Sequence, residues 1–242
     1  MTSVYFGKMP NSYFQFKQFR VEQGQTAMKV TTEACLFGSL IETEDTNRIL
    51  DIGTGTGLLA LMLAQKTKAG IDGIEINYEA HQQASENFAN SPWSERLKAI
   101  YADIGEFKSD RKYDLIISNP PFFQDHQIGA KTDKNQALHN DSLSYQQLAV
   151  SIKQHLSAQG KAWVLLPAFP MSKLIHEMRA LDFGLSSRII IHNSPGKEGF
   201  REVACFQKGM HNVYQKEIYI RDTQKDYSPE FIELLKPYYL HL

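Results

Sequence analysis

The sequence predicts an α/β fold: a mostly parallel seven-stranded sheet with helices on both faces and a final antiparallel strand. Three observations predict it. From Arg48 to Lys208, apolar runs of strand length alternate with runs of helix length. A glycine-rich turn, "DIGTGTG", joins the first of these strands directly to the first of these helices. The last two strand-like runs are separated only by "SPGKEGF", too short for a crossover helix, so the chain must reverse there.

Each element follows in order. "YFQFKQFRV", residues 13–21, puts Phe14 and Phe16 on one face and then shifts parity to Phe19 and Val21, which predicts a bulged strand or two short ones. "TTEACLFGSLI" predicts a short helix with Thr32 as its cap and Glu33 in its first turn. "RILDIG" is a strand and "GLLALMLAQK" a helix; "GIDGIEI" is a strand and "YEAHQQASENFAN" a helix. "LKAIYAD" is a strand after a helical start at Ser91-Pro92, and "YDLIISN" is the next. "LSYQQLAVSIKQHL" is a helix, "GKAWVLLP" a strand, "MSKLIHEMRAL" a helix, and "SSRIIIHN" and "REVACFQK" the closing hairpin. Beyond Met210 the pattern weakens: "QKEIYI" fits one more strand and "SPEFIELLKP" a short helix. The long polar stretch 123–140 has the length of a functional or unstructured loop. We expect one domain over 1–242, with an N-terminal extension (1–45), a core (46–210) and a C-terminal extension (211–242).

Composition narrows the class. With 242 residues, 42% apolar and 22% charged, a sizeable core is available. The net charge of −1 gives no global positive field, so a nucleic acid would have to meet a local basic patch. Cys35 and Cys205 lie far apart, without CxxC or histidine spacing. That argues against a disulfide framework and a zinc site, and fits a reducing compartment. No apolar run approaches the ~20 residues of a membrane span. The first twenty residues carry Lys8, Lys17 and Arg20 but no continuous apolar run, so no signal peptide is read. The expectation is a soluble cytoplasmic monomer with no metal and no membrane partner.

The glycine loop comes first among the candidate sites. Gly53, Gly55 and Gly57 let the backbone turn tightly and approach a ligand. The dinucleotide fingerprint requires G-x-G-x-x-G, but here the spacing is G-x-G-x-G behind Asp51, and position 58 is leucine. That departure, with no Tyr-x-x-x-Lys or similar hydride site, argues against an NAD-dependent oxidoreductase. Glu75, with Ile76 after it, ends the next strand, where an acid can accept both ribose hydroxyls of a nucleoside. Asp103 at the third strand end is placed to accept from an adenine amino group, with Ile104 beside the ring. Three such strand ends in one sheet favour a nucleoside cofactor, because ligands sit at the carboxyl ends of parallel strands. The D-x-G-x-G-x-G form resembles motif I of the S-adenosylmethionine-dependent methyltransferases of class I, Rossmann-like fold, in which the loop wraps a methionine-ribose unit.

The fourth strand ends in "NPPF", Asn119-Pro120-Pro121-Phe122, beside the proposed cofactor, so Asn119 is a candidate cofactor residue as well. Prolines stop a strand and fix the backbone, and these residue types also suit a reaction at nitrogen. An exocyclic amine is a poor nucleophile because its lone pair is delocalised. Two acceptors for its two hydrogens, the Asn119 side-chain oxygen and the Pro120 carbonyl, would pyramidalise it. Rigid acceptors do so with little reorganisation, and Phe122 offers a face for a flat base or amide. The tetrapeptide resembles the [N/D]-P-P-[F/Y/W] motif of amino-group methyltransferases. That class covers adenine-N6, guanine-N2 and glutamine-N5 methylation, which the tetrapeptide does not distinguish. Glutamine modifiers usually have tyrosine in place of Phe122 and a separate helical N-terminal domain, for which this N-terminus is too short. With both motifs intact, nothing favours a catalytically silent binding module.

The segment "FQFKQFRVEQGQTAMKVTTEACLFGSL" resembles the one preceding motif I in the bacterial tRNA1(Val) (adenine37-N6)-methyltransferase family. The carriers are Phe16 to Phe19, Met28 to Val30 and Thr32-Glu33, and the likeness runs from about Phe14 to about Lys208. It implies methyl transfer from S-adenosyl-L-methionine to N6 of the adenosine 3′ to the anticodon of a valine tRNA, with Lys29 and Thr32 over the cofactor. Glu33 stands where that family more usually has aspartate, and Leu138 where an arginine is expected before His139. Bottom-up support for RNA is a set of cations interleaved with aromatics. Lys8, Lys17, Arg20 and Lys29 accompany Tyr13 and the phenylalanines, Lys131 and Lys134 follow the prolines, and Lys197 and Arg201 flank the hairpin.

Overall fold

The alternation of strand and helix places every parallel strand's carboxyl end on one edge of a sheet, and a computed structural model describes that sheet in residues 11–26, 29–121 and 143–242. Two short strands, β1 (Tyr13–Gln15) and β2 (Arg20–Glu22), precede α1 (Thr32–Leu40). Then follow β3 (Arg48–Ile52), α2 (Leu58–Lys66), β4 (Gly70–Glu75), α3 (Tyr78–Ala89), a 3₁₀ turn (Ser94–Arg96), β5 (Leu97–Tyr101) and β6 (Tyr113–Ser118). The chain continues through α4 (Tyr145–His155), β7 (Leu156–Leu166), α5 (Ala168–Ala180), β8 (Phe183–His192), β9 (Gly199–Lys208), β10 (Tyr214–Tyr219) and α6 (Pro229–Leu235). The strand order is β10-β8-β9-β7-β6-β3-β4-β5.

The sheet has eight strands where seven were expected. β10 adds itself to the edge, parallel to β8, from Tyr214 opposite Ser187 to Tyr219 opposite His192. Its one fully buried side chain is Ile218, which is why its apolar period is faint in the sequence. The reversed strand is β9, antiparallel to both β7 and β8, so it lies within the sheet. The parity shift in "YFQFKQFRV" resolves as two strands, with Phe16 and Phe19 stacked at 4.4 Å between ring centroids.

Two apolar layers cover the sheet. On one face Phe37, Leu61, Met62, Phe88, Phe231 and Leu235 join residues of α1, α2, α3 and α6 into one core. On the other, Leu148, Ile152, Met171, Leu174 and Met178 anchor α4 and α5. Both terminal extensions contribute to the first core, through Phe16, Val21 and Tyr238.

The cap of α1 is Thr31, not Thr32. Thr31 has extended backbone (φ −118°, ψ 154°), and its hydroxyl accepts from the Ala34 amide at 3.3 Å. In a Thr-Thr pair either hydroxyl has the right chemistry, and the one on the residue that stays extended serves. Thr32 is the first helical residue. No described helix is long and apolar enough to cross a membrane.

Candidate active site

After Ile52 the backbone of β3 folds over the end of β4. The amides of Gly53 and Thr54 both donate to the Ile74 carbonyl at 2.9 Å, and the Gly57 amide donates to the Thr54 carbonyl at 2.8 Å. The three glycines take φ of 73°, 58° and 83°, the left-handed region that side chains resist. Their surroundings differ. A Cβ on Gly57 would stand 2.4 Å from Cε1 of the buried Phe88, whereas one on Gly53 or Gly55 would meet nothing within 4 Å. The first two glycines therefore leave an open cradle, and the third lets the helix and loop close on α3.

Asp51 lies beneath this loop and is 0% exposed. Its Oδ2 accepts from the Thr54 hydroxyl at 2.7 Å, while Oδ1 makes no hydrogen bond of ordinary geometry. Burial is the main influence on the carboxyl, pushing it up from 3.8 to about 7. The Thr54 hydroxyl and the Ala60 amide pull it down, and the Glu75 charge adds to the rise. A carboxyl whose folded pKa exceeds its unfolded value contributes stability that is complete below about pH 4. That contribution is lost as the pH climbs to about 7. Asp51→Asn does not titrate, so it is expected to gain on the parent chain over that interval, by a few kcal/mol at most. Urea midpoints of the two proteins at about pH 5 and about pH 8 measure the gain. An unchanged difference would show that Asp51 is ionised throughout.

Glu75 ends β4 half-buried. Its Oε2 accepts from the Gly55 amide and its Oε1 from the Asn77 amide, both at 2.9 Å, so each oxygen keeps a lone pair for a further donor. Ile76 beside it is 51% exposed. The next strand ends at Tyr101, two residues before Asp103, because the chain turns there. The Ala102 amide bonds back to Glu75, and those of Glu106 and Phe107 bond to the Asp103 carbonyl. Asp103 is exposed and accepts from the Gly105 amide at 2.8 Å. Ile104, expected beside the adenine ring, is 6% exposed and packs with Ile52 and Ile74 directly after the Asp103 turn.

On the other side of β3, Ser118 closes β6 and donates from its hydroxyl to the Ile52 carbonyl at 2.8 Å. The register pairs Ile52 with Ser118, so Asn119 leaves β6 level with Gly53. Asn119 is half-buried, Pro120 buried and Pro121 exposed. Phe122, Met28, Leu138, His139, Lys8, Lys131 and Lys134 lie outside the described residues. Lys29 turns its ammonium to carbonyls of its own segment, those of Gln23 and Thr26. Thr32 opens α1, half-buried.

Three contributors went unread. Gly73 is where β4 passes under the loop, and a Cβ there would meet Thr54 Oγ1 at 2.8 Å. A glycine inside a strand is the signal for such an approach. Thr54 itself bridges Asp51 to this crossing. Asn87, 2% exposed, donates to the Glu22 and Thr56 carbonyls and accepts from the Glu22 amide, tying β2 to the glycine loop. Its signal was an amide in the apolar stripe Ala80, Ala84, Phe88 of α3. Among the described residues no cluster of three or more His, Cys, Asp or Glu side chains could hold a metal.

Comparison with known proteins places this geometry in a class. The chain superposes on a protein of Agrobacterium tumefaciens described as a predicted O-methyltransferase, with a TM-score of 0.67 at 18% identity, over 84% of this chain and 95% of that one. Residues 27–177, more than half the chain, match the family model "Methyltransferase small domain". The fold is that of a Rossmann-like methyltransferase. Within that class the chain is 40% identical over 237 residues to the tRNA1(Val) (adenine(37)-N6)-methyltransferase of Dyadobacter fermentans, covering 95% of this chain and 98% of that protein. To the protein of the same name from Cytophaga hutchinsonii it is 39% identical, over 97% and 100%. The chain belongs to the tRNA1(Val) (adenine(37)-N6)-methyltransferase family.

The residues fit the nucleoside cofactor that such a family implies. Gly53 and Gly55 leave open space where any side chain would intrude. The Glu75 carboxylate stands beside that space with both oxygens able to accept again.

Proposed function

We propose that this chain transfers a methyl group from S-adenosyl-L-methionine to N6 of adenosine 37 in tRNA1(Val). The observation that carries the reading is the pairing of Ile52 with Ser118, which sets Asn119-Pro120 beside the glycine cradle on one sheet edge. The proposed cofactor residues are Gly53, Gly55 and Gly57 of the loop, Glu75 toward the ribose hydroxyls, and Ile76, Asp103 and Ile104 at the base, with Lys29, Thr32 and Asn119 around the cofactor and Asp51 bracing the loop from below. The bound cofactor supplies a methyl group already activated on a sulfonium, so no strong general base is needed. The protein supplies position. The Asn119 side-chain oxygen and the Pro120 carbonyl accept hydrogen bonds from the two amine N–H groups and draw the nitrogen lone pair out of the ring plane, and once the methyl group is bonded the nitrogen loses one proton to solvent. Pro120 and Pro121 hold φ fixed, so the acceptors do not reorganise as charge develops. In-line placement supplies much of the rate. Every residue named comes from one chain, and the proposed working unit is a monomer.

Incubation with labelled S-adenosylmethionine and unmodified total tRNA tests the reading. N6-methyladenosine at position 37 of the valine tRNA is the expected product. Label confined to protein, or appearing on guanine, overturns it.

A further inference from the structure

We propose that the exposed face of α5 formed by Phe169, Lys173 and His176 seats the unpaired RNA strand flanking the methylated adenosine; this rests on the tRNA reading above. Phe169 is 61% exposed, an apolar ring left in water on the first turn of the helix. Packing does not account for it, because α5 is already anchored by Met171, Leu174 and Met178 on its opposite side. The Lys173 ammonium lies 4.4 Å from the Phe169 ring centroid. His176 follows one turn on, so ring, cation and imidazole share one stripe. The Lys173–His176 part of the stripe lines a crevice shared with Ser144 and Tyr145 at the start of α4, in which Glu177 is the one carboxylate among the described residues.

Its place in the fold decides the occupant. β7 pairs with β6, Val164 opposite Ser118, so Asn119 and Pro120 stand level with Leu165 and Leu166. One residue after Leu166 the chain enters α5, and Phe169 therefore emerges from the same edge as the amine acceptors, one strand along. Adjacent strands lie about 4.8 Å apart, within reach of a nucleotide next to the one being methylated. Unpaired RNA presents flat bases and phosphates together. An exposed ring stacks a base, and a cation one turn away meets the phosphodiester beside it.

Binding of an unmodified valine tRNA transcript, with S-adenosylhomocysteine present, and steady-state methylation test this. Phe169→Ala is expected to raise both Kd and KM for tRNA about tenfold or more, leaving turnover at saturating tRNA within about twofold and S-adenosylhomocysteine affinity unchanged. Phe169→Tyr, which keeps the ring, restores most of the binding. Lys173→Ala flattens the salt dependence by about one counterion. Lys68→Ala, on the opposite sheet edge between α2 and β4, leaves both quantities as they were. Unchanged KM and salt slope in Phe169→Ala and Lys173→Ala overturn the platform, as does a loss confined to turnover or a Phe169→Tyr variant as weak as Phe169→Ala. If the unaltered enzyme still labels tRNA in that case, the tRNA reading stands without the platform. If it labels none, both fall. Should Phe169→Ala fold poorly, the solvent-side Lys173→Ala decides the matter alone.

Discussion

Asn119→Ala is expected to lower turnover by at least about 100-fold, the cost of removing one preorganised contact made to developing charge. The affinity for S-adenosylhomocysteine should fall far less than turnover. The cradle beside Asn119 is held by bonds from Gly53 and Thr54 to Ile74 and from Gly55 to Glu75, none of which involves residue 119. Nor should the end of β6 shift, because Ser118 fixes it through the Ile52 carbonyl. The loss therefore belongs in kcat more than in KM for tRNA, as expected for a contact strengthened in the transition state. Asn119→Asp keeps an acceptor at the same distance along the side chain and should retain more activity than the alanine variant. Single-turnover methylation with saturating tRNA reads the chemical step directly. Near-parental turnover in Asn119→Ala would remove this side chain from the mechanism and leave the Pro120 carbonyl as the one acceptor.

The sheet and its glycine loop were legible because their signals are local. Left-handed turns demand glycine, buried parallel strands demand apolar runs, and both stand in the sequence from Arg48 to Ser118. The strand-end acid Glu75 was legible for the same reason. What escaped depends on contacts between distant segments. Asn87 meets Glu22 across 65 positions of chain, and only the folded α3 shows why an amide sits in its apolar stripe. Gly73 matters because Thr54 crosses above it. β10 was faint because an edge strand with one buried side chain needs little pattern. The Thr31–Thr32 choice lies within the one-residue uncertainty of any helix start.

Two alanine substitutions in one loop should separate stability from binding. Gly57→Ala puts a methyl group 2.4 Å from Phe88 Cε1 and forces a side chain to φ 83°. Phe88 is 2% exposed in the core, so the ring and its neighbours must shift together. Left-handed strain and overpacking together cost roughly 2–5 kcal/mol, which for a chain of this length lowers Tm by about 5–15 °C. Gly55→Ala carries the strain without the clash, since nothing lies within 4 Å of its added atom. Its Tm should fall by only a few degrees. The new methyl group instead enters the space proposed for the cofactor, and affinity for S-adenosylhomocysteine should drop at least about tenfold by calorimetry. The two variants thus fail in opposite assays. Parental stability in Gly57→Ala would mean that the loop and α3 do not close as the structure has them. A Gly55→Ala protein that binds S-adenosylhomocysteine as the parent does would move the cofactor out of this cradle, and with it the reaction proposed at Asn119.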